Sequence, residues 1–196
     1  MSRVTAGGRR PLLVLLVLFL APLAVAFWLY YGTAWRPAAH TNHGELIEPA
    51  RPLPQLALER AGDGLAPAQI LTGKWSLVVV GTGAQGCDAA CRETLIYARQ
   101  TWLSLGKFLP RAQRVLLAGE GCCDLDTLKR EHLGLIALRA AGANAAPVLQ
   151  QFPPPLDRTI FIVDPLGNLM MRYDVRADPK GLREDLKKLL DLSHIG

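Results

Sequence analysis

The chain has 196 residues, four cysteines and a formal net charge of +5, and this charge is unevenly distributed. Four arginines and no acidic residue fall within residues 1–36, so the rest of the chain is nearly neutral. A nearly neutral domain lacks the basic surface that nucleic-acid binding requires, and the length allows one domain of ordinary size plus an additional segment.

The additional segment is an apolar run over residues 11–31, which is long enough to cross a bilayer as a helix. Residues 1–10 before it contain three arginines and no acidic residue, so they are expected to stay in the cytoplasm. Aromatic residues cluster at the far end of the run, as is typical of a membrane interface: Phe27, Trp28, Tyr30 and Tyr31. A cleaved signal peptide ending at Ala24-Val-Ala26 is the alternative. Either interpretation places the rest of the chain outside the cytoplasm, which for a bacterial inner membrane means the periplasm.

A linker and a main domain are expected to follow the apolar run. Residues 32–54 contain several prolines and little periodicity, which indicates a linker. His40 and His43 within it are interpreted as solvent-exposed, with metal binding as the alternative. The main domain is expected to cover residues 55–196 and to begin with a short strand over residues 55–58.

Two cysteines follow the strongest strand prediction in the chain. Trp75 to Gly81 is apolar almost throughout and predicts a buried strand, and apolar residues at helical spacing predict a helix from about Asp88 to Leu105. Cys87 and Cys91 therefore lie where a strand leads into a helix N-terminus, whose dipole favours thiolate over thiol. This position suits redox or soft-metal chemistry, while a structural disulfide or inert core thiols are the alternatives.

The remaining elements predict a mixed sheet with flanking helices. We expect strands at 114–118 and 135–138, a hairpin of strands 159–163 and 168–173, a short helix from Asp124 to about Leu133, one helical turn after Ala140, and a last helix opened by Asp178-Pro179. Parallel strands joined by helices and closed by an antiparallel pair are the order of the thioredoxin fold.

A second pair of cysteines, Cys122 and Cys123, follows the strand at 114–118. Because neighbouring parallel strands end at the same edge of a sheet, all four thiols are expected at one edge. The second pair can supply a resolving thiol or further copper(I) ligands. The alternative is one buried and one exposed cysteine without a role.

From Trp75 to its C-terminus the chain resembles the Sco/SenC family. The resemblance lies in the N-terminal anchor, the strand leading into Cys-x-x-x-Cys, the Asp-Pro-x-Gly hairpin and the final helix. It implies a membrane-anchored, thioredoxin-fold protein that helps to assemble the copper centre of cytochrome c oxidase, with an oxidase subunit or another assembly factor as partner. It also implies that Cys87 and Cys91 are the copper-binding cysteines.

One departure from the family concerns its third copper ligand, a histidine in an Asp-His-Ser/Thr step before the hairpin. The corresponding step here is Asp157-Arg158-Thr159, and a guanidinium stays protonated and cannot bind copper. Two thiolates still permit copper(I), whereas copper(II) normally needs nitrogen ligands. If Arg158 lies opposite the thiols, its charge would lower their pKa and favour thiol–disulfide chemistry. A surface ion pair with Asp157 is the alternative.

The sequence thus predicts a periplasmic assembly factor that uses Cys87 and Cys91 as a copper(I) carrier or as a thiol reductant. As a reductant, Cys87 is expected to be the more exposed thiol and to attack, and Cys91 to resolve the mixed disulfide. A non-catalytic docking factor and a general thiol–disulfide oxidoreductase are the alternatives, so enzymatic activity stays open.

Overall fold

The structure, a computed structural model, describes residues 9–33, 41–61, 64–81, 87–119, 122, 124–141, 145–178 and 180–196. It divides into two compact units, residues 1–41 and 42–196. The first unit contains the helix α1, Arg9–Gly32, whose most apolar window has a mean hydropathy of 2.9. This helix covers the predicted apolar run and is long and apolar enough to cross a membrane.

The described residues of the second unit form an eight-stranded mixed sheet with flanking helices. The strands are β1 Glu45–Pro52, β2 Glu59–Arg60, β3 Gly64–Leu65, β4 Trp75–Gly81, β5 Ala112–Ala118, β6 Leu135–Arg139, β7 Thr159–Val163 and β8 Asn168–Asp174. The helices are α2 Ala89–Leu103, α3 Leu125–Glu131, α4 Ala146–Leu149 and α5 Gly181–Leu192, with a 3-10 helix over Gly106–Arg111.

The strand order is β1-β8-β7-β4-β5-β6-β2-β3. Strands β4, β5 and β6 are parallel, and the hairpin β7–β8 and strand β1 extend the sheet in antiparallel fashion. Every residue of β4 is buried, since this strand lies in the middle of the sheet with apolar layers on both faces. Leu77 and Val79 belong to an apolar cluster with residues of α2 and α5. Val78 and Val80 belong to a second apolar cluster, which includes Val148 of α4. The predicted mixed architecture is confirmed.

Strand β1 lies inside the segment that the sequence indicated as a linker. Its Glu45–Leu46 end pairs with Arg172 and Met171 of β8, and only Ile47 among its eight residues is buried. An edge strand with one buried side chain and two prolines carries almost no alternating apolar pattern, so its sequence resembles a loop. No strand forms at 55–58; the short strand β2 begins at Glu59 instead.

The last helix also begins later than predicted. Asp178 accepts hydrogen bonds from the backbone N–H groups of Lys180 and Gly181, both at 3.0 Å, and α5 starts at Gly181. Asp178 therefore accepts N–H groups at the start of the helix, as a capping residue does, although Lys180 occupies the cap position itself. Pro179, the predicted first helical residue, lies outside the described residues.

Candidate thiol site

Cys87 and Cys91 form a disulfide with their Cα atoms 5.3 Å apart. Cys91 lies in the first turn of α2, and Cys87 directly precedes the residue that caps this helix. The carboxylate of that cap, Asp88, accepts the backbone N–H of Cys91 at 2.8 Å, as an N-cap residue does. The disulfide therefore joins the connection after the buried strand β4 to the positive end of a helix dipole, where a thiolate released by reduction is stabilised.

The two cysteines of this disulfide differ in exposure. Cys87 is 8% exposed and belongs to the apolar layer under α2, while Cys91 is only partly buried. The expectation that Cys87 is the more exposed of the two is therefore wrong for the oxidised protein. Cys87 precedes the helix but turns into the core, whereas the first turn of α2 keeps Cys91 at the surface.

Arg158 lies beside α2, but its ion pair differs from the expected one. Its Nε atom is 3.2 Å from Oε2 of Glu93, two residues after Cys91. The alternative partner, its sequence neighbour Asp157, makes no such ion pair among the described residues. Because Glu93 is 55% exposed, water screens this ion pair. Solvent and the Glu93 carboxylate together weaken the electrostatic effect of the Arg158 charge on neighbouring groups.

The backbone at Arg158 is left-handed, with φ of 52°. Its carbonyl accepts the backbone N–H of Val175 at 3.0 Å, so the turn before β7 is held to the end of β8. This turn directs the arginine side chain towards α2, where the pairing with Glu93 is made. The position that holds a histidine in the Sco/SenC family thus presents a paired cation.

Among the described residues, the donors that this site offers to a soft metal ion are the two sulfur atoms of Cys87 and Cys91. Within the described residues no group of three histidine, cysteine, aspartate or glutamate side chains could hold a metal ion. Two thiolates from the reduced pair fit linear copper(I), and the donors described here do not fit the tetragonal preference of copper(II).

Cys122 lies close to the same edge of the sheet. It is 2% exposed, is disulfide-bonded and belongs to the same buried cluster as Cys87. Its backbone N–H donates to the carbonyl of Gly119 at 3.1 Å, and the N–H of Gly119 donates to Gly81 at the end of β4 at 2.8 Å. The ends of β4 and β5 are thus held together by backbone hydrogen bonds, and Cys87 and Cys122 belong to one apolar cluster, while Cys123 lies outside the described residues.

A cleft of about 320 Å³ is lined by Thr159, the residue after Arg158, among others. Three of its lining residues, His43, Gly44 and Tyr173, form with Asp185 a polar cluster that we call the Asp185 clasp. The Asp185 carboxylate, 5% exposed, accepts the backbone N–H groups of His43 and Gly44 at 2.7 and 3.1 Å and the hydroxyl of Tyr173. Burial and the neighbouring Asp185 carboxylate raise the pKa of Tyr173, so its phenol stays protonated as the donor.

The imidazole of His43 lies between two carboxylates. Its Nδ1 is 2.8 Å from Asp178, and its Nε2 is 3.2 Å from Glu184. His43 is exposed, as expected from the sequence, but its imidazole is paired with both carboxylates. The sequence does contain one clue, because Asp185 stands on the apolar face of α5 between Leu182 and Leu186, where a carboxylate needs a buried partner.

Comparisons with known proteins agree with this fold. No curated protein matches the chain significantly. Yeast Sco1 gives a TM-score of 0.61 at 13% identity, covering 75% of this chain and 98% of its own. Copper-bound ScoI from Bradyrhizobium japonicum gives 0.55 at 17% identity, covering 71% and 99%. A DsbF homologue from Corynebacterium diphtheriae gives 0.53 at 15% identity, covering 80% and 96%.

These structural neighbours share the thioredoxin-like fold, and they include the Sco proteins that the sequence resembles. A family model described as the transmembrane-like, thioredoxin-like, C-terminal domain matches residues 75–193, from the first residue of β4 to the residue after α5. This match covers more than half of the chain. The chain therefore belongs to the family of transmembrane-like, thioredoxin-like C-terminal domains.

Proposed function

We propose that this protein carries out thiol–disulfide exchange at Cys87–Cys91 outside the cytoplasm, during assembly of the copper centre of cytochrome c oxidase. The observation that carries the proposal is the disulfide itself, which bridges the helix N-terminus after a buried central strand and leaves Cys91 partly exposed. A disulfide in a buried scaffold role would not need an exposed sulfur-bearing residue at a helix dipole.

The exchange follows from the exposure of the two cysteines. In the reduced protein the Cys91 thiolate attacks a disulfide of the partner, forms a mixed disulfide and releases one partner thiolate. Cys87 then attacks the Cys91 sulfur, which frees the second partner thiolate and restores the Cys87–Cys91 disulfide. Two electrons pass to the partner, whose copper-binding thiols become available, and a dithiol reductant restores the reduced pair.

A second candidate function is copper(I) carriage by the same two cysteines. The two thiolates suffice as ligands, and copper-bound ScoI shares the fold. Copper would then be a cargo, released to a site with more ligands. Arg158, paired with Glu93, supplies no third ligand, and so the thiol function is the one that the described side chains support better.

Membrane attachment completes the proposal. The arginines before α1 favour a cytoplasmic N-terminus, a single span of a bacterial inner membrane and a periplasmic thioredoxin-like domain. The thiols would then face the compartment in which disulfides form. Cleavage after Ala26 is the alternative and would release the domain; the apparent mass of the mature protein distinguishes the two.

The experiment is complementation of a strain that lacks the chain. Cys87→Ser/Cys91→Ser is expected to abolish copper-centre assembly, measured by the oxidase spectrum and activity, while Ile96→Ser, an exposed change on α2, keeps it. Full complementation by the double variant would contradict the thiol mechanism and would support a non-catalytic docking factor. Equal reduction of unrelated disulfide proteins would indicate a general oxidoreductase.

The two candidate chemistries are separated by anaerobic copper(I) titration of the reduced full chain against a competing chelator. Binding no tighter than that of Cys87→Ser/Cys91→Ser is expected for a reductant. Stoichiometric, tight binding that is lost in the double variant would assign copper carriage instead. A Cys87→Ser variant is also expected to trap the partner as a mixed disulfide at Cys91.

A further inference from the structure

A carboxylate lies at the N-terminus of α2, the helix that contains Cys91. Asp88 follows Cys87 directly in the chain, and its Oδ1 atom accepts the backbone N–H of Cys91 at 2.8 Å. The first turn of α2 contains no acidic residue, and Asp88 itself is exposed. Asparagine, serine and threonine also cap helices without carrying a charge. Capping alone therefore does not require a carboxylate at this position.

The Asp88 carboxylate competes with a thiolate for the same end of the helix dipole. Reduction of the disulfide releases the Cys91 sulfur at this end, where Asp88 already occupies the N–H group of Cys91. The sulfur is three covalent bonds from that nitrogen, so it lies within about 7 Å of the carboxylate oxygen, less than the Debye length of about 8 Å at physiological salt. The carboxylate therefore repels a thiolate at Cys91 and offsets part of its stabilisation by the helix.

We propose that Asp88 is a positioning residue of the thiol site, which holds the backbone of Cys91 while its charge makes the Cys87–Cys91 pair a stronger reductant. This inference rests on the proposed thiol function and gives the exchange a direction. The partner's S–S bond breaks as the Cys87–Cys91 bond forms, and two electrons and two protons pass from the two thiols to the partner's sulfur atoms. Because the disulfide carries no charge, repulsion by Asp88 acts on the reduced pair and favours reduction of the partner.

Two other charged residues follow Cys91 on the same helix. Arg92 is exposed and favours a thiolate, whereas Glu93 disfavours one and is paired with Arg158. Both keep their charges when Asp88 alone is substituted. A change in the redox equilibrium of such a variant therefore reports on the Asp88 carboxylate.

The test measures the redox equilibrium of Cys87–Cys91 in the full chain in detergent, with reduced and oxidised glutathione at pH 7. Alkylation and mass spectrometry of the tryptic peptide 75–92, which contains both cysteines, give the oxidised fraction. Asp88→Asn keeps the capping oxygen and removes the charge, so it is expected to lower the equilibrium constant for disulfide formation about 2–5-fold. Asp191→Asn, an exposed change on α5, is the control and is expected to leave it unchanged.

Two further measurements separate the charge of Asp88 from its capping role. Asp88→Asn is expected to melt close to the unaltered protein, and its redox shift is expected to shrink at 1 M salt, where the Debye length is about 3 Å. Asp88→Ser also caps without a charge and is expected to give the same shift, which covers the case in which asparagine impairs folding.

An unchanged equilibrium constant, or one shifted towards the disulfide, in a variant that melts like the unaltered protein would overturn the proposal. Asp88 would then be a helix cap only. The equilibrium is measured on the isolated protein, whereas the proposed function fails if Cys87→Ser/Cys91→Ser restores oxidase assembly. Failure of the one is therefore distinguishable from failure of the other.

Discussion

Replacement of Asp185 by alanine tests whether the Asp185 clasp holds the start of the thioredoxin-like domain in place. The carboxylate accepts three donors, of which the Gly44 N–H and the Tyr173 hydroxyl are buried, while His43 is exposed and can bind water instead. Each buried donor without an acceptor costs about 1–3 kcal/mol, so Asp185→Ala is expected to lower the free energy of unfolding by about 3–5 kcal/mol.

The assay is thermal and denaturant unfolding of the full chain in detergent, followed by circular dichroism. At about 2–4 °C per kcal/mol for a domain of this size, Asp185→Ala is expected to melt about 6–20 °C below the unaltered protein. Asp185→Asn keeps an acceptor oxygen and is expected to lose about 1 kcal/mol. Asp191→Ala, an exposed change on the same helix, is the control and is expected to stay within about 0.5 kcal/mol.

Hydrogen exchange adds a local measurement, because loss of the clasp is expected to accelerate exchange over residues 43–48 before the central strands respond. Asp185→Ala with unchanged unfolding free energy and unchanged exchange in this segment would refute the reasoning. It would mean that the donors find water or other acceptors at no cost.

Three further predictions concern charge, pH and packing. Glu93→Gln removes the partner of Arg158, so the freed cation is expected to stabilise the thiolates and raise the reduction potential of the Cys pair by about 10–20 mV in a glutathione equilibrium; no change or a lower potential would contradict it. Burial lowers the pKa of His132, so the unfolded chain binds more protons in mild acid, and stability is expected to fall from pH 7 to 5.5 more steeply than in His132→Gln. Parallel curves for the two proteins would exclude this. Gly181→Ala places a methyl group against His43 and is expected to destabilise the fold in unfolding experiments, whereas an unchanged melting temperature would show that the clasp can shift.

The sequence predicts those parts of the fold that depend on local pattern. The apolar run of β4 and the helical spacing after Cys91 are local properties, and the structure has both elements. Strand β1 is specified mainly by its pairing with β8, more than a hundred residues away, and its own residues carry little periodicity. The short edge strands are missed for the same reason, since β2 and β3 have two residues each.

The candidate site divides along the same line. The disulfide partners are four residues apart in sequence, and their position at the start of a helix can be predicted from the local pattern. The partner of Arg158, in contrast, lies 65 residues away on α2. The burial of Cys87 could not be predicted, because it depends on packing against residues that are distant in sequence. The contacts of His43 with Asp178 and Glu184 join opposite ends of the domain, so no local pattern could predict them.

The Asp185 clasp also has a mechanical consequence. Any tension along the chain from α1 enters the domain at Asn42, immediately before His43. The first hydrogen bonds to bear this load are those from the His43 and Gly44 N–H groups to Asp185. The bidentate ion pair between Glu45 and Arg172 follows. Helix α5 and the edge of the sheet therefore absorb a pull on the start of the domain, and the central strand β4, which precedes the disulfide, is shielded from it.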